Sequence, residues 1–165
     1  MIFIFIFFIN NLFSLEITGC NYNEENFIIE FNSSFKISGI RYNKNTIEMS
    51  YTDFGNKKFK DIFIFSKDLY QKIEDIVRNC DNHISKNSVK PHYKVFDIKK
   101  LKSHKRVANV VVIFDDSLNV IFGVVKVNKN FYLAYPPSNF EFIDEEFKKE
   151  LTMFIINEYK KIERI

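Results

Sequence analysis

The chain has 165 residues, 46% of them hydrophobic, with 20 Phe, no Trp and a net charge of only +3. That length makes one domain or two small ones, and the apolar share is that of an ordinary globular protein, which excludes disorder, collagen-like and fibrous classes. So mild a charge does not by itself call for a nucleic-acid partner.

Residues 1–14 form an apolar leader of Phe and Ile, interrupted by Asn10-Asn11. The run is too short to span a bilayer as a helix and lacks the basic start of a signal peptide. Ile17-Thr18-Gly19-Cys20 resembles a lipobox, so a membrane-anchored lipoprotein through Cys20 stands as an alternative to a cytoplasmic protein. Strands are expected over 15–21, 27–31, 35–42, 47–51 and 59–65, with turns at Asn32-Ser33-Ser34, Asn43-Lys44-Asn45 and Gly55-Asn56. A helix over 66–79 follows. Leu69, Ile73, Ile76 and Val77 form its apolar stripe, and Ser66 stands at the N-cap.

Residues 81–93 are polar, carry Pro91 and read as a linker. Further strands are expected over 95–101, 107–114, 118–127 and 131–135, the last stopped by Pro136-Pro137. The closing helix spans 144–161, with Asp144 as cap and Phe147, Leu151, Phe154 and Ile155 as stripe. The basic surplus lies between Lys86 and Arg106, where eight cations face only Asp97. Such a run either neutralises phosphates or keeps a linker and an edge strand soluble.

The two halves repeat one pattern. Phe31-Asn32-Ser33-Ser34-Phe35, Gly39, Asn43-Lys44-Asn45 and Tyr51 match Phe114-Asp115-Asp116-Ser117-Leu118, Gly123, Asn128-Lys129-Asn130 and Tyr135. Each copy ends in a helix with the same stripe. The fold class expected is therefore α+β: two tandem repeats, 15–80 and 94–165, each an antiparallel sheet followed by one helix.

Cys20 and Cys80 have no metal-binding or CxxC spacing, and reduced, unpaired thiols are the expectation. His83, His92 and His104 have no zinc spacing, Ser33-Ser34 has no neighbouring base, and no P-loop or GxGxxG occurs. Neither an enzyme nor a metal or other cofactor is expected.

Phe59-Lys60-Asp61-Ile62 before the first helix, Val95-Phe96-Asp97-Ile98-Lys99-Lys100, the Pro-ended strand Leu133-Ala134-Tyr135-Pro136 and the helix end Asn157-Glu158-Tyr159-Lys160-Lys161 together resemble the SpoVG family (stage V sporulation protein G, or septation regulator). The resemblance covers nearly all of 15–77 and 95–161; the family has a single unit per chain that pairs as a dimer through its sheet, so two copies in one chain depart from it and imply packing as an intramolecular pseudo-dimer. It implies a small cytoplasmic regulator that binds nucleic acid, DNA ahead of RNA. The family's basic loop falls on Lys57, Lys58 and Lys60. In the second copy that loop shrinks to Pro137-Ser138-Asn139 and Phe140-Glu141-Phe142 replaces the basic segment. Compensation is expected from Lys99, Lys100, Lys102, Lys105 and Arg106. Lysines at such tips release counterions from a phosphate backbone and read bases poorly. Tyr51, Phe54 and Phe59 could stack on bases, but at strand spacing aromatics are more often core. Self-association through sheet edges is a further expectation, and a small-molecule substrate is not. A protein-interaction module of the same fold is the alternative.

Overall fold

The computed structural model describes residues 15–54, 56–80 and 89–163. The apolar leader, Gly55 and most of the expected linker, with Lys86, lie outside the described residues. The fold is α+β: two antiparallel sheets, a separate two-stranded hairpin and two helices.

The first half supplies β1 (Ile17–Asn23), β2 (Asn26–Phe31), β3 (Phe35–Asn43) and β4 (Thr46–Glu48). The hairpin of β5 (Thr52–Phe54) and β6 (Lys57–Phe59), then β7 (Ile62–Ile64) and α1 (Lys67–Arg78), complete it. The second half supplies β8 (Tyr93–Lys100), β9 (Arg106–Phe114), β10 (Leu118–Lys126), β11 (Tyr132–Tyr135), β12 (Phe140–Phe142) and α2 (Glu145–Glu163).

Both central hairpins are built alike. Asn32 and Ser33 have φ of 50° and 51°, and Asp115 and Asp116 have φ of 44° and 49°. Two successive positive φ values match the right-handed twist of the strands they join. Ser34 N–H donates to the Phe31 carbonyl and Ser117 N–H to the Phe114 carbonyl, each at 2.9 Å. The Asn32 side chain accepts from Glu16 N–H at 3.0 Å, as Asp115 accepts from His92 N–H at 3.2 Å.

The short strand before each helix leaves its own half. β7 pairs with β10, Ile62 opposite Val120 and Ile64 opposite Leu118. β12 pairs with β3, Phe140 opposite Ile37 and Phe142 opposite Phe35. The carbonyl of Ser117 then accepts from Phe65 and Ser66 N–H, and that of Ser34 from Ile143 and Asp144 N–H. Each hairpin tip thus receives the chain just before the other half's helix.

The expected strand over 59–65 is divided between β6 and β7, and residues 140–142, to which no element was assigned from sequence, form a strand. Lys60 and Asp61 carry the chain from the hairpin to the edge of β10, so one continuous strand does not form.

Ser66 caps α1 through its hydroxyl, which accepts from Leu69 N–H at 3.3 Å. Asp144 caps α2 by accepting from Glu146 and Phe147 N–H at 2.8 and 3.1 Å. Both caps satisfy amides that a first helical turn leaves free. Leu69, Ile73 and Val77 of α1 and Phe147, Leu151, Ile155 and Tyr159 of α2 are buried. They join a core cluster that takes residues from both halves. At its centre Phe35 lies 5.0 Å from Phe114 and 4.6 Å from Phe140, centroid to centroid.

Cys20 and Cys80 form a disulfide across a separation of 60 residues. This corrects the expectation of reduced thiols. Pairing strength has no signature in spacing; the fold brings the two Cα atoms to 5.6 Å by laying α1 against β1. The Cys20 sulfur that a lipid anchor would need is in that bond. Among the described residues no helix is long and apolar enough to cross a membrane.

Candidate nucleic-acid interface

The register of the second sheet fixes which side chains share its outer face. Leu118, Val120, Phe122 and Val124 of β10 point into the core and are fully buried. Their neighbours therefore point outward, because strand side chains alternate. Four cross-strand rows result. Phe63, Asn119, Ile113 and Lys94 make the first. Asp61, Ile121, Val111 and Asp97 make the second, with the Asp61 carbonyl accepting from Ile121 N–H at 2.8 Å. Tyr135, Gly123, Asn109 and Lys99 make the third. Leu133, Val125 and Arg106 make the fourth.

Part of this face is open among the described residues. Phe63 is 37% exposed, Leu133 48% and Tyr135 36%. Tyr135 lies across Gly123: a Cβ added there would stand 2.4 Å from the Tyr135 Cζ. The guanidinium carbon of Arg106 sits 5.4 Å from the centre of the same ring, within cation–π range.

Arg106 opens β9, and Lys99 and Lys100 end β8, with Lys102 and Lys105 on the turn between them. The turn is closed by Leu101 N–H donating to the Val107 carbonyl at 2.8 Å, and the Lys105 carbonyl accepts from Lys126 N–H at 2.9 Å. Lys100 Nζ donates to the Ile162 carbonyl at 2.8 Å, placing its charge at the negative end of α2. Lys57 and Lys58 are exposed on β6, and Lys60 follows them with its Nζ 5.5 Å from the Phe63 ring centre.

Lys60 enters at one edge of β10 and Arg106 lies on the strand at its other edge. At about 3.4 Å per residue and about 4.8 Å between strands, roughly 15 Å of backbone separates them. The two basic groups, distant in sequence, thus flank one sheet face.

None of the eight expected site residues pairs with a carboxylate among the described residues. Lys36, Arg78, Lys90, Lys94, Lys126, Lys148 and Lys161 each do, with Glu141, Glu74, Glu146 and Glu150, Asp116, Glu163, Glu145 and Glu158, whereas Arg41, Lys44, Lys67, Lys129, Lys149 and Lys160 do not.

Tyr51 and Phe59, expected in the core, are 56% and 46% exposed. The Phe54 side chain lies outside the described residues. Sequence reading missed Tyr135, Phe63 and Arg41 as site residues. For Tyr135 the signal was present in its fixed distance from Gly123. Beside Gly39, at the corresponding place in the first half, lies a cavity of about 280 Å³ lined by Arg41, Ser50, Tyr51 and Lys58 among others. Among the described residues no three His, Cys, Asp or Glu side chains gather to hold a metal ion.

No protein-family model, curated protein or solved structure matches the chain.

Proposed function

We propose that the chain is two SpoVG-like units folded as an intramolecular pseudo-dimer, and that it binds nucleic acid without catalysing a reaction. The pseudo-dimer reading is supported by the reciprocal exchange of β7 and β12 and by the matched bonds to Ser34 and Ser117. The observation that carries the binding reading is placement: Lys57, Lys58 and Lys60 on one side and Lys99, Lys100, Lys102, Lys105 and Arg106 on the other flank one sheet face with exposed rings between them, and none of the eight has a carboxylate partner among the described residues. Unmatched cations beside exposed rings suit a phosphate backbone with stacked bases.

The outer face of the second sheet favours single strands over duplex. Tyr135 and Phe63 offer flat surfaces that unpaired bases can use and paired bases cannot. Asp61 and Asp97 on the same face keep the affinity moderate. Anisotropy titrations of labelled single strands and duplexes test this: single strands should bind more tightly, and Tyr135→Ala should weaken them by about 1–3 kcal/mol. Equal affinity for duplex, unchanged by Tyr135→Ala, would remove the stacking role.

One observation favours a second reading. A disulfide belongs with oxidising compartments, and an exported interaction module of the same fold would explain Cys20–Cys80 directly. Such a protein would bind neither form of nucleic acid in those titrations.

A further inference from the structure

The geometry points to a binding site for a nucleobase carrying a phosphate, in the cavity beside Gly39. This departs from the expectation that no small molecule binds.

The second half displays the same place in a filled state. Gly123 and Tyr135 there correspond by spacing to Gly39 and Tyr51, whereas in the strand pairing Ser50 holds the place opposite Gly39 that Tyr135 holds opposite Gly123. The Tyr135 ring occupies the space over Gly123 with the Arg106 guanidinium against it. A planar ring thus rests on a glycine beside a guanidinium. In the first half Tyr51 does not fold back in this way. Gly39 has φ of 75° and its missing side chain faces Ser50, at 2.6 Å from that Cβ. The space a ring would take is left as the cavity of about 280 Å³.

The lining suits such a ring. Asn26 Oδ1 accepts from Arg41 Nε at 3.0 Å, which fixes the guanidinium and leaves its terminal nitrogens to a ligand. Arg stacks on flat rings and grips phosphate with two nitrogens. Lys58 adds a second cation, and neither it nor Arg41 has a carboxylate partner among the described residues, although Glu48 stands opposite Arg41 in the register. Asp53 stands opposite Lys58 in its own hairpin, so Arg41, held by Asn26, is the cation left to grip a phosphate. Tyr51 supplies an aromatic face and the Asn26 Nδ2 can address the edge of a base, while the Ser50 hydroxyl is held between the Ser38 carbonyl and the Asn139 amide. Pockets for whole cofactors start near roughly 300 Å³, so this one admits a single nucleotide. That nucleotide is either free or the end of a strand.

The site deepens the nucleic-acid reading by assigning the first half a ligand of its own, and the test separates the two. The full chain with its disulfide intact is titrated with AMP, adenosine, inorganic phosphate and a ten-nucleotide strand, followed by amide and aromatic NMR shifts. AMP should saturate and move Tyr51 and Ser50. Adenosine and phosphate should each bind at least tenfold more weakly. Arg41→Ala should weaken AMP at least tenfold, and Arg41→Lys should recover only part of the loss. Circular dichroism confirms that each variant is folded. Absence of saturable AMP binding overturns the site, as does AMP binding that Arg41→Ala leaves unchanged. Phosphate binding as well as AMP removes the base from the assignment. Strand binding without AMP binding sinks the cavity alone. AMP binding without strand binding keeps the cavity and sinks the nucleic-acid reading.

Discussion

Replacing both Cys20 and Cys80 by Ala opens a loop whose ends are 60 residues apart. In the chain-entropy picture a loop of that length stabilises by about 4 kcal/mol, because the unfolded chain loses the freedom that the bridge removes. The bridge joins β1 to the end of α1, and it spans every element of the first half between them. Spread over a chain of this size, about 4 kcal/mol lowers Tm by roughly 10 °C. Urea unfolding of the parent and the double variant, with and without reductant, measures the difference. Reductant should destabilise the parent toward the variant and leave the variant unchanged. A difference below about 1 kcal/mol would refute the reasoning. Alkylation of free thiols in freshly quenched cells of the native host tests the same bond in place: neither cysteine should react until reductant is added.

The remaining expectations concern the core, the turns and the joining of the halves. Phe35 is fully buried among Phe31, Phe114, Phe140 and Phe147, so Phe35→Ala should cost about 3–5 kcal/mol by denaturant unfolding. Burial pushes the Asp115 carboxyl above its ordinary range, and its Oδ2 has no hydrogen-bond partner. The folded state therefore takes up that proton more readily than the unfolded chain. The stability this contributes is present at low pH and is lost as pH rises through the raised folded value. Asp115→Asn, which copies Asn32 of the first hairpin, should stabilise by about 1 kcal/mol at neutral pH. The gain should vanish below the unfolded carboxylate range, as stability curves at several pH values would record. A protease site placed within 81–88 separates the halves covalently without touching Cys20 or Cys80. The exchanged strands should keep the two fragments together on a sizing column, and separation of the fragments would contradict the exchange.

Local features of this fold were legible and long-range ones were not. Ser66 and Asp144 announce helix starts because a side-chain oxygen at that place has one dominant use. The Asn32-Ser33 and Asp115-Asp116 turns were readable as turns, since small polar residues interrupt two apolar runs. The exchange was not readable. Ile62-Phe63-Ile64 and Phe140-Glu141-Phe142 are three-residue strands, and such a segment carries no mark of which sheet it joins. The disulfide escaped for a related reason: 60 residues of separation fix no distance until α1 is placed on β1. The basic residues were found from charge alone. Their meeting across β10, and the exposed rings between them, depend on a register that alternation does not specify. Alternation puts Tyr135 opposite the buried face, but only the placing of both described helices elsewhere leaves it exposed.

Nucleic-acid binding is tested most directly by titrating a labelled ten-nucleotide single strand across salt concentrations with the parent and with the Lys57→Glu, Lys58→Glu double variant. Affinity of the parent should fall steeply with salt, on a logarithmic slope set by about 0.7 per phosphate contacted. The double variant should bind at least tenfold more weakly and lose roughly two contacts' worth of slope. Binding that is absent, or insensitive to both salt and charge reversal, would contradict the assignment.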